Sequence, residues 1–361
     1  MIPAPRLPLP AHADEQAVLA DLVARFAPSE AVRAAATARA VGLVRDIRAD
    51  RRPGLMEVFL GEYGLSTREG LALMTLAEAL LRVPDAATMD ELIEDKIAPQ
   101  DWKLHRGRSP SALVNASTLA LMLTGEVLKD RRDLAGAFLG AVKRLGEPVI
   151  RSAVARAMRE MGAQFVLGRT IDEALSRGRD KAAMGYTFSY DMLGEAAMTA
   201  GDAARFLAAY KGAIGRLAPE CRSPDTRANP GISVKLSALH PRYETAQQDR
   251  VMTELVPRVL DLALAAKSAG MGMNIDAEEA DRLELSLAVI EAVLSDPRLA
   301  GWDGFGVVVQ GYGLRASAVI DWLHALATRL DRRIMVRLVK GAYWDTEIKR
   351  AQVEGLEGFP V

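Results

Sequence analysis

From Met184 onward the sequence alternates short β-branched and aromatic segments with longer amphipathic ones, and no other feature restricts the fold as much. Period-2 patterning and composition predict strands over Met184–Asp191, Ile232–Leu236, Met273–Asp276, Phe305–Gln310 and Ile334–Val339. Helical periodicity predicts helices over Gly194–Leu217, Val251–Ala269, Ala280–Leu294, Ala316–Leu330 and Thr346–Gly355. Each strand-plus-helix unit takes roughly 30–45 residues, the size of a βα repeat. Such alternation implies a parallel sheet, because a parallel neighbour needs a crossover.

The choice between an open sheet and a barrel rests on where the polar residues fall. Asp191, Lys235, Asp276 with Glu278 and Glu279, Gln310, and Arg337 to Lys340 all lie at or near the C-terminal ends of successive strands. A barrel gathers its chemistry on that rim from several strands. An open dinucleotide-binding sheet would instead carry a Gly-rich loop after its first strand, and Asp191-Met192-Leu193-Gly194-Glu195 is no such loop. Gly311-Tyr312-Gly313 supplies two glycines, with Ala316 in the third position, which is a weak signal. The expected architecture is α/β: a helical N-terminal region followed by a (βα)8-type, TIM-like barrel of which about five units are present.

Within this frame Ile334–Asp345 stands out. It reads as a strand buried on both faces, yet Arg337 interrupts it, and a buried charge is costly unless it is paired or faces a ligand. Gly341 permits close backbone approach. Tyr343 and Trp344 add flat apolar surface with polar tips. Together these residues suit a flat, anionic ligand, with a structural ion pair as the alternative role for Arg337.

The N-terminal half reads differently. Residues 1–13 are Pro-rich and are expected to be a flexible tail, and residues 14–180 a helical arm and linker region ahead of the barrel at 181–361. Helices are predicted from Glu15 to a stop near Pro28, from Ala31 to Arg48 after a Ser29 cap, and over 55–63, 66–81, 115–128, 134–145, 149–165 and 171–177. Ser66–Glu69 and Thr88–Glu91 have capping-box spacing. The Met158 and Met161 stripe reads as core filler.

Charge and cysteine content narrow the function. The 361 residues hold 46 basic and 47 acidic side chains, so no global field attracts nucleic acid or anionic lipid. One cysteine, Cys221, allows no internal disulfide, and four scattered histidines give no zinc spacing, so no metal is expected. No signal peptide or membrane span is read, and a reducing, cytoplasmic setting is expected.

The ordered segments Tyr186–Ala196, Ser233–Arg242, Asn274–Arg282, Val309-Gln310 and Arg337–Asp345 resemble the proline dehydrogenase part of the bifunctional PutA family, and Gly64–Gly70 with Ile93–Lys96 extend the similarity into the helical half. The resemblance implies an FAD-binding barrel that oxidises L-proline to 1-pyrroline-5-carboxylate and passes electrons to a quinone. It implies Arg337 and Gln310 beside the flavin ring, and Val339, Lys340, Gly341, Ala342, Tyr343 and Trp344 along the cofactor. It further implies Lys235 on the proline carboxylate, with Asp191, Asp276 and Tyr343 around the substrate and Arg337, Lys235 and Asp276 as the catalytic set. A homo-oligomer and peripheral membrane contact are expected of the longer protein, and no nucleic acid partner.

The sequence also departs from that family. After Gln310 it reads Gly311-Tyr312-Gly313-Leu314-Arg315, with one cation where a basic pair is expected. The paired substrate-gripping arginines, the aldehyde dehydrogenase half and the basic DNA-binding arm are absent from it. The chain is therefore expected to be the front part of a short PutA, inactive by itself because five units cannot close an eight-stranded barrel. Two other readings are a Schiff-base aldolase using Lys235 or Lys340 and a non-catalytic helical docking module.

Overall fold

Five parallel strands form one sheet in the order β1-β2-β3-β4-β5. They are β1 (Ser189–Asp191), β2 (Gly231–Val234), β3 (Met273–Ile275), β4 (Phe305–Gln310) and β5 (Met335–Val339). Sequential order without reversal distinguishes a barrel wall from a doubly wound sheet, which reverses at a switch point. Right-handed crossovers in one direction put the helices that connect successive strands on the same face. The structure, a computed structural model, describes residues 14–49 and 166–361 together with Leu7.

The described helices are α1 (Glu15–Phe26), α2 (Glu30–Ala49), α3 (Ile171–Ala183), α4 (Ala200–Leu217), the single turn α5 (Leu236–Leu239), α6 (Gln248–Ala269), α7 (Leu283–Leu294), α8 (Ala316–Leu330) and α9 (Trp344–Glu354). The chain divides into two units, Met1–Ala27 with Gly178–Val361, and Pro28–Arg177. In the second unit the Ser29 hydroxyl accepts from the Val32 N–H at 3.3 Å, as the predicted cap requires. The predicted tail and the helices and capping boxes between residues 50 and 165 lie outside the described residues.

The core of the first unit lies between the sheet and its helices. Ile232, Val234, Met273, Ile275 and Phe305 are wholly or almost wholly buried on the strands. Val251, Leu255, Val259, Leu262, Ala263 and Ala266 form the buried stripe of α6 at helical spacing. Burying each large side chain of this kind contributes about 1.5–3 kcal/mol.

The other face of the sheet carries the polar residues of opposite parity. Ser189, Asp191, Ser233, Lys235, Asn274 and Asp276 alternate with Tyr190, Val234 and Ile275. Gly306 belongs to this layer: the Asn274 side-chain amide lies over it, in the space a Cβ would take.

Several predicted boundaries shift. The first strand shrinks to Ser189–Asp191 because α3 continues to Ala183 and a turn closes it, with Gly185 at φ 91° and its N–H on the Ala182 carbonyl at 2.9 Å. Helix α4 starts at Ala200, not Gly194, because Thr199 and Asp202 form a capping box. Strand β5 is not buried on both faces: Val336 and Leu338 are exposed, the latter by 62%. As the edge strand it has one neighbour, β4, so its outward side chains are covered from one side only.

Candidate functional site

The C-terminal ends of β1, β2 and β3 bring three predicted residues together. Register pairs Asp191 with Ser233 and Val234 with Ile275, so Lys235 and Asp276, each one step past its strand, emerge beside Asp191. The Asp276 N–H continues the ladder to the Val234 carbonyl at 3.0 Å. The Lys235 ammonium donates to Asp191 Oδ2 and Asp276 Oδ2, both at 2.9 Å. Two of its three donors are thereby committed.

Arg337 joins this network from β5. Its Nη1 donates to Ser233 Oγ at 3.1 Å and lies 3.7 Å from Asp276 Oδ1, and its Nη2 donates to Ser189 Oγ at 2.9 Å. The two serine hydroxyls are themselves 3.1 Å apart. Arg337 is thus paired rather than alone, and 37% of its side chain still meets solvent. Of the two roles weighed from the sequence, the ion pair is present, and the side chain stays partly open to solvent.

Burial sets the protonation states. Desolvation pulls the Lys235 pKa down, but hydrogen bonds to Asp191 and Asp276 outweigh it and leave the pKa above the ordinary lysine value. Desolvation pushes Asp276 above the ordinary carboxylate range, against the pull of Lys235 and Arg337. The Tyr210 hydroxyl under the cluster accepts the Lys235 backbone N–H at 3.3 Å, and burial raises its pKa to about 12.

Gln310 and the turn after β5 form the adjoining edge. Gln310 Nε2 donates to the Glu278 carbonyl at 2.8 Å, and its Oε1 accepts from the Ala342 N–H at 3.3 Å. Val339 ends β5, and Trp344 opens α9, earlier than the predicted Thr346. Lys340 and Ala342 are exposed, Gly341 and Tyr343 half-buried, and Trp344 is 45% exposed. Gly341 has φ 121°, and what its backbone approaches is the ring of Tyr312, into which a Cβ would project.

Sequence reasoning left several supporting residues unassigned. Ser189 and Ser233 hold Arg337, and only inward parity could have flagged them. Buried Glu278 accepts from the Ser237 N–H at 3.1 Å and fixes α5 beside Lys235. Buried Glu347 of α9 accepts from the Ala280 N–H at 2.6 Å and ties the β5 turn to the loop after β3. Arg315, the single cation after Gln310, is held by Glu284 at 3.3 Å and the Ala280 carbonyl at 2.9 Å. A cleft bordered by Asp276, Glu278, Gln310, Tyr312 and Arg315 opens beside the network.

A barrel wall with an ionic network on its C-terminal rim defines a barrel enzyme of the kind whose chemistry sits on the loops after the strands. Comparison with known proteins makes the class specific. The family model described as proline dehydrogenase matches residues 174–361, and the model described as the DNA-binding domain of proline dehydrogenase matches residues 55–165. The chain belongs to the proline dehydrogenase family. It is 53% identical over 315 residues to the bifunctional protein PutA of Klebsiella aerogenes, covering 87% of this chain and 24% of that protein. It is 51% identical over 349 residues to the bifunctional protein PutA of Rhizobium meliloti, covering 96% of this chain and 28% of that protein. A crystal structure of Bradyrhizobium japonicum proline utilization A (PutA), a mutant, superposes with a TM-score of 0.69 at 49% identity over 100% of this chain and 36% of that one. The chain thus spans about a quarter of the length of the curated relatives it matches.

Proposed function

We propose that the rim of this barrel is the flavin- and proline-binding site of a protein that oxidises L-proline to 1-pyrroline-5-carboxylate. The observation that carries the reading is the network Asp191–Lys235–Asp276–Arg337 beside the turn 339–344. The residues fit FAD on two grounds. A half-exposed guanidinium and exposed Lys340 suit an electron-rich, anionic group, and the exposed Trp344 ring offers it a flat wall. Arg337, Gln310 and Val339 to Trp344 would hold the cofactor, which supplies a two-electron acceptor for the hydride leaving the carbon next to the amine.

The chain's own residues bind, orient and balance charge. The remaining Lys235 donor meets the substrate carboxylate, while Asp191 and Asp276 fix the direction of that ammonium. Asp276 also neutralises Arg337 until negative charge accumulates next to it. No general base is required if proline arrives as the free amine, so Tyr343, half-buried at the edge, is assigned to substrate contact. A quinone acceptor, homo-oligomerisation, a cytoplasmic location and peripheral membrane contact belong to the same reading. No described helix is long and apolar enough to cross a membrane. DNA is left out of the reading, since 46 basic against 47 acidic residues give no attracting field.

The test is flavin content of the full-length protein together with proline-dependent reduction of a dye. Bound flavin and proline-dependent turnover support the reading. A colourless protein that gains no flavin on reconstitution overturns it.

A further inference from the structure

We propose that Tyr312 is a positioning residue that fixes both the Gln310 amide and the turn Lys340–Tyr343, and thereby sets the shape of the edge that faces the flavin. The inference rests on the flavin reading given above. Tyr312 belongs to none of the sets assigned from the sequence, and it lies outside the ionic network.

The phenol oxygen has two partners. It donates to Gln310 Oε1 at 2.7 Å and accepts from the Tyr343 backbone N–H at 3.2 Å. Gln310 Oε1 therefore receives two donors, Tyr312 and the Ala342 N–H, while its Nε2 faces the Glu278 carbonyl. A flipped amide would set an NH2 group against the Ala342 N–H and an oxygen against the Glu278 carbonyl. Only one orientation satisfies the surroundings. Burial raises the phenol pKa, so the hydroxyl keeps its proton to donate.

The ring acts as well. It occupies the space in front of Gly341, whose φ of 121° disfavours any side chain, and it meets the Trp344 ring edge-on at 5.8 Å and 79°. The main chain adds two further ties, Gly311 N–H to the Val339 carbonyl at 2.7 Å and Tyr312 N–H to the Lys340 carbonyl at 3.2 Å. The loop after β4 and the turn after β5 therefore form one unit, with Tyr312 bonded to both halves. Charge at Lys235 and Arg337 is untouched by any of these contacts.

Tyr312→Phe keeps the ring and deletes only the hydroxyl. In this variant amide hydrogen exchange at Tyr343 is expected to accelerate about tenfold, the effect of one lost hydrogen bond. The flavin dissociation constant of the protein should rise by a similar factor. The melting temperature should stay within a few degrees. Gly341→Ala, which pushes the same ring from the other side, should weaken flavin in the same way. Unchanged exchange at Tyr343, or unchanged flavin affinity in both variants, overturns the assignment. A wild-type protein that takes up no flavin would instead overturn the flavin reading, and the exchange measurement would still decide whether Tyr312 holds the turn.

Discussion

Arg337 Nη2 donates to Ser189 Oγ at 2.9 Å, which joins β5 directly to β1 across the face of the sheet. Those strands are four neighbours apart in the sheet order. At about 4.8 Å per step a flat sheet would separate them by ~19 Å, far beyond one side chain. The bond therefore measures the curl of the sheet as well as the position of a guanidinium. Fold and site share this single contact.

Replacing Arg337 by Met should lower proline turnover about a hundredfold, the scale of one lost group that stabilises developing charge. It should also make the flavin harder to reduce. Two of the side chain's three partners are hydroxyls, so the fold should survive, and circular dichroism should match that of the unmodified chain. Unchanged turnover and flavin potential would return Arg337 to a purely structural role.

Asp276 is the anion shared by Lys235 and Arg337, and its side chain is only 14% exposed. Asp276→Ala leaves two cations facing each other with one carboxylate, Asp191. Breaking a buried pair from one side costs about 3 kcal/mol. Urea unfolding should register a loss of that size. A loss below ~1 kcal/mol would mean that solvent screens the network.

Tyr210 makes stability fall in alkali. The folded chain holds this proton up to about pH 12, raised by burial, whereas the unfolded chain releases it near the ordinary value of 10.0. Between those values the folded state binds more protons, so stability drops as pH rises, by ~3 kcal/mol across the window. Lys235, also raised, adds to the fall above its ordinary value of 10.5. Urea midpoints followed from pH 9.5 upward (roughly the onset) should therefore decline less steeply in Tyr210→Phe than in the unmodified chain. Parallel curves would count against burial of the phenol.

A Schiff-base mechanism needs an amine that loses its proton readily. Lys235 is held the other way by Asp191 and Asp276. Borohydride treatment in the presence of a small aldehyde should leave Lys235 unmodified at neutral pH, as read by peptide mass. Selective trapping there would favour an aldolase.

How much of this was legible in the sequence depended on the range of the signal. Phe305–Gln310 and Ala316–Leu330 agree with the predicted bounds because strand apolarity and helical spacing are local. Residues 194–199, predicted as the first turns of a helix, precede it instead, because the capping box of Thr199 and Asp202 sets the start at Ala200. The meeting of Asp191, Lys235 and Asp276 was legible as a rim because each falls at a strand end. The Arg337 contacts with Ser189 and Ser233 were not, because they depend on the curl of the sheet over 148 and 104 residues of separation. The grip of Tyr312 on Gly341 was hidden for the same reason: neither residue signals the other, and Gly341 reads from sequence as a gap for a ligand.

The central claim is that the rim network delivers proline to a flavin. Anaerobic addition of L-proline to the flavin-loaded full-length protein, followed by the absorbance of the oxidised flavin, tests it most directly. The account predicts bleaching by proline that is lost or greatly slowed in Lys235→Ala, with flavin still bound. Bleaching that proceeds equally in Lys235→Ala, or a loaded protein that proline leaves fully oxidised, would contradict it.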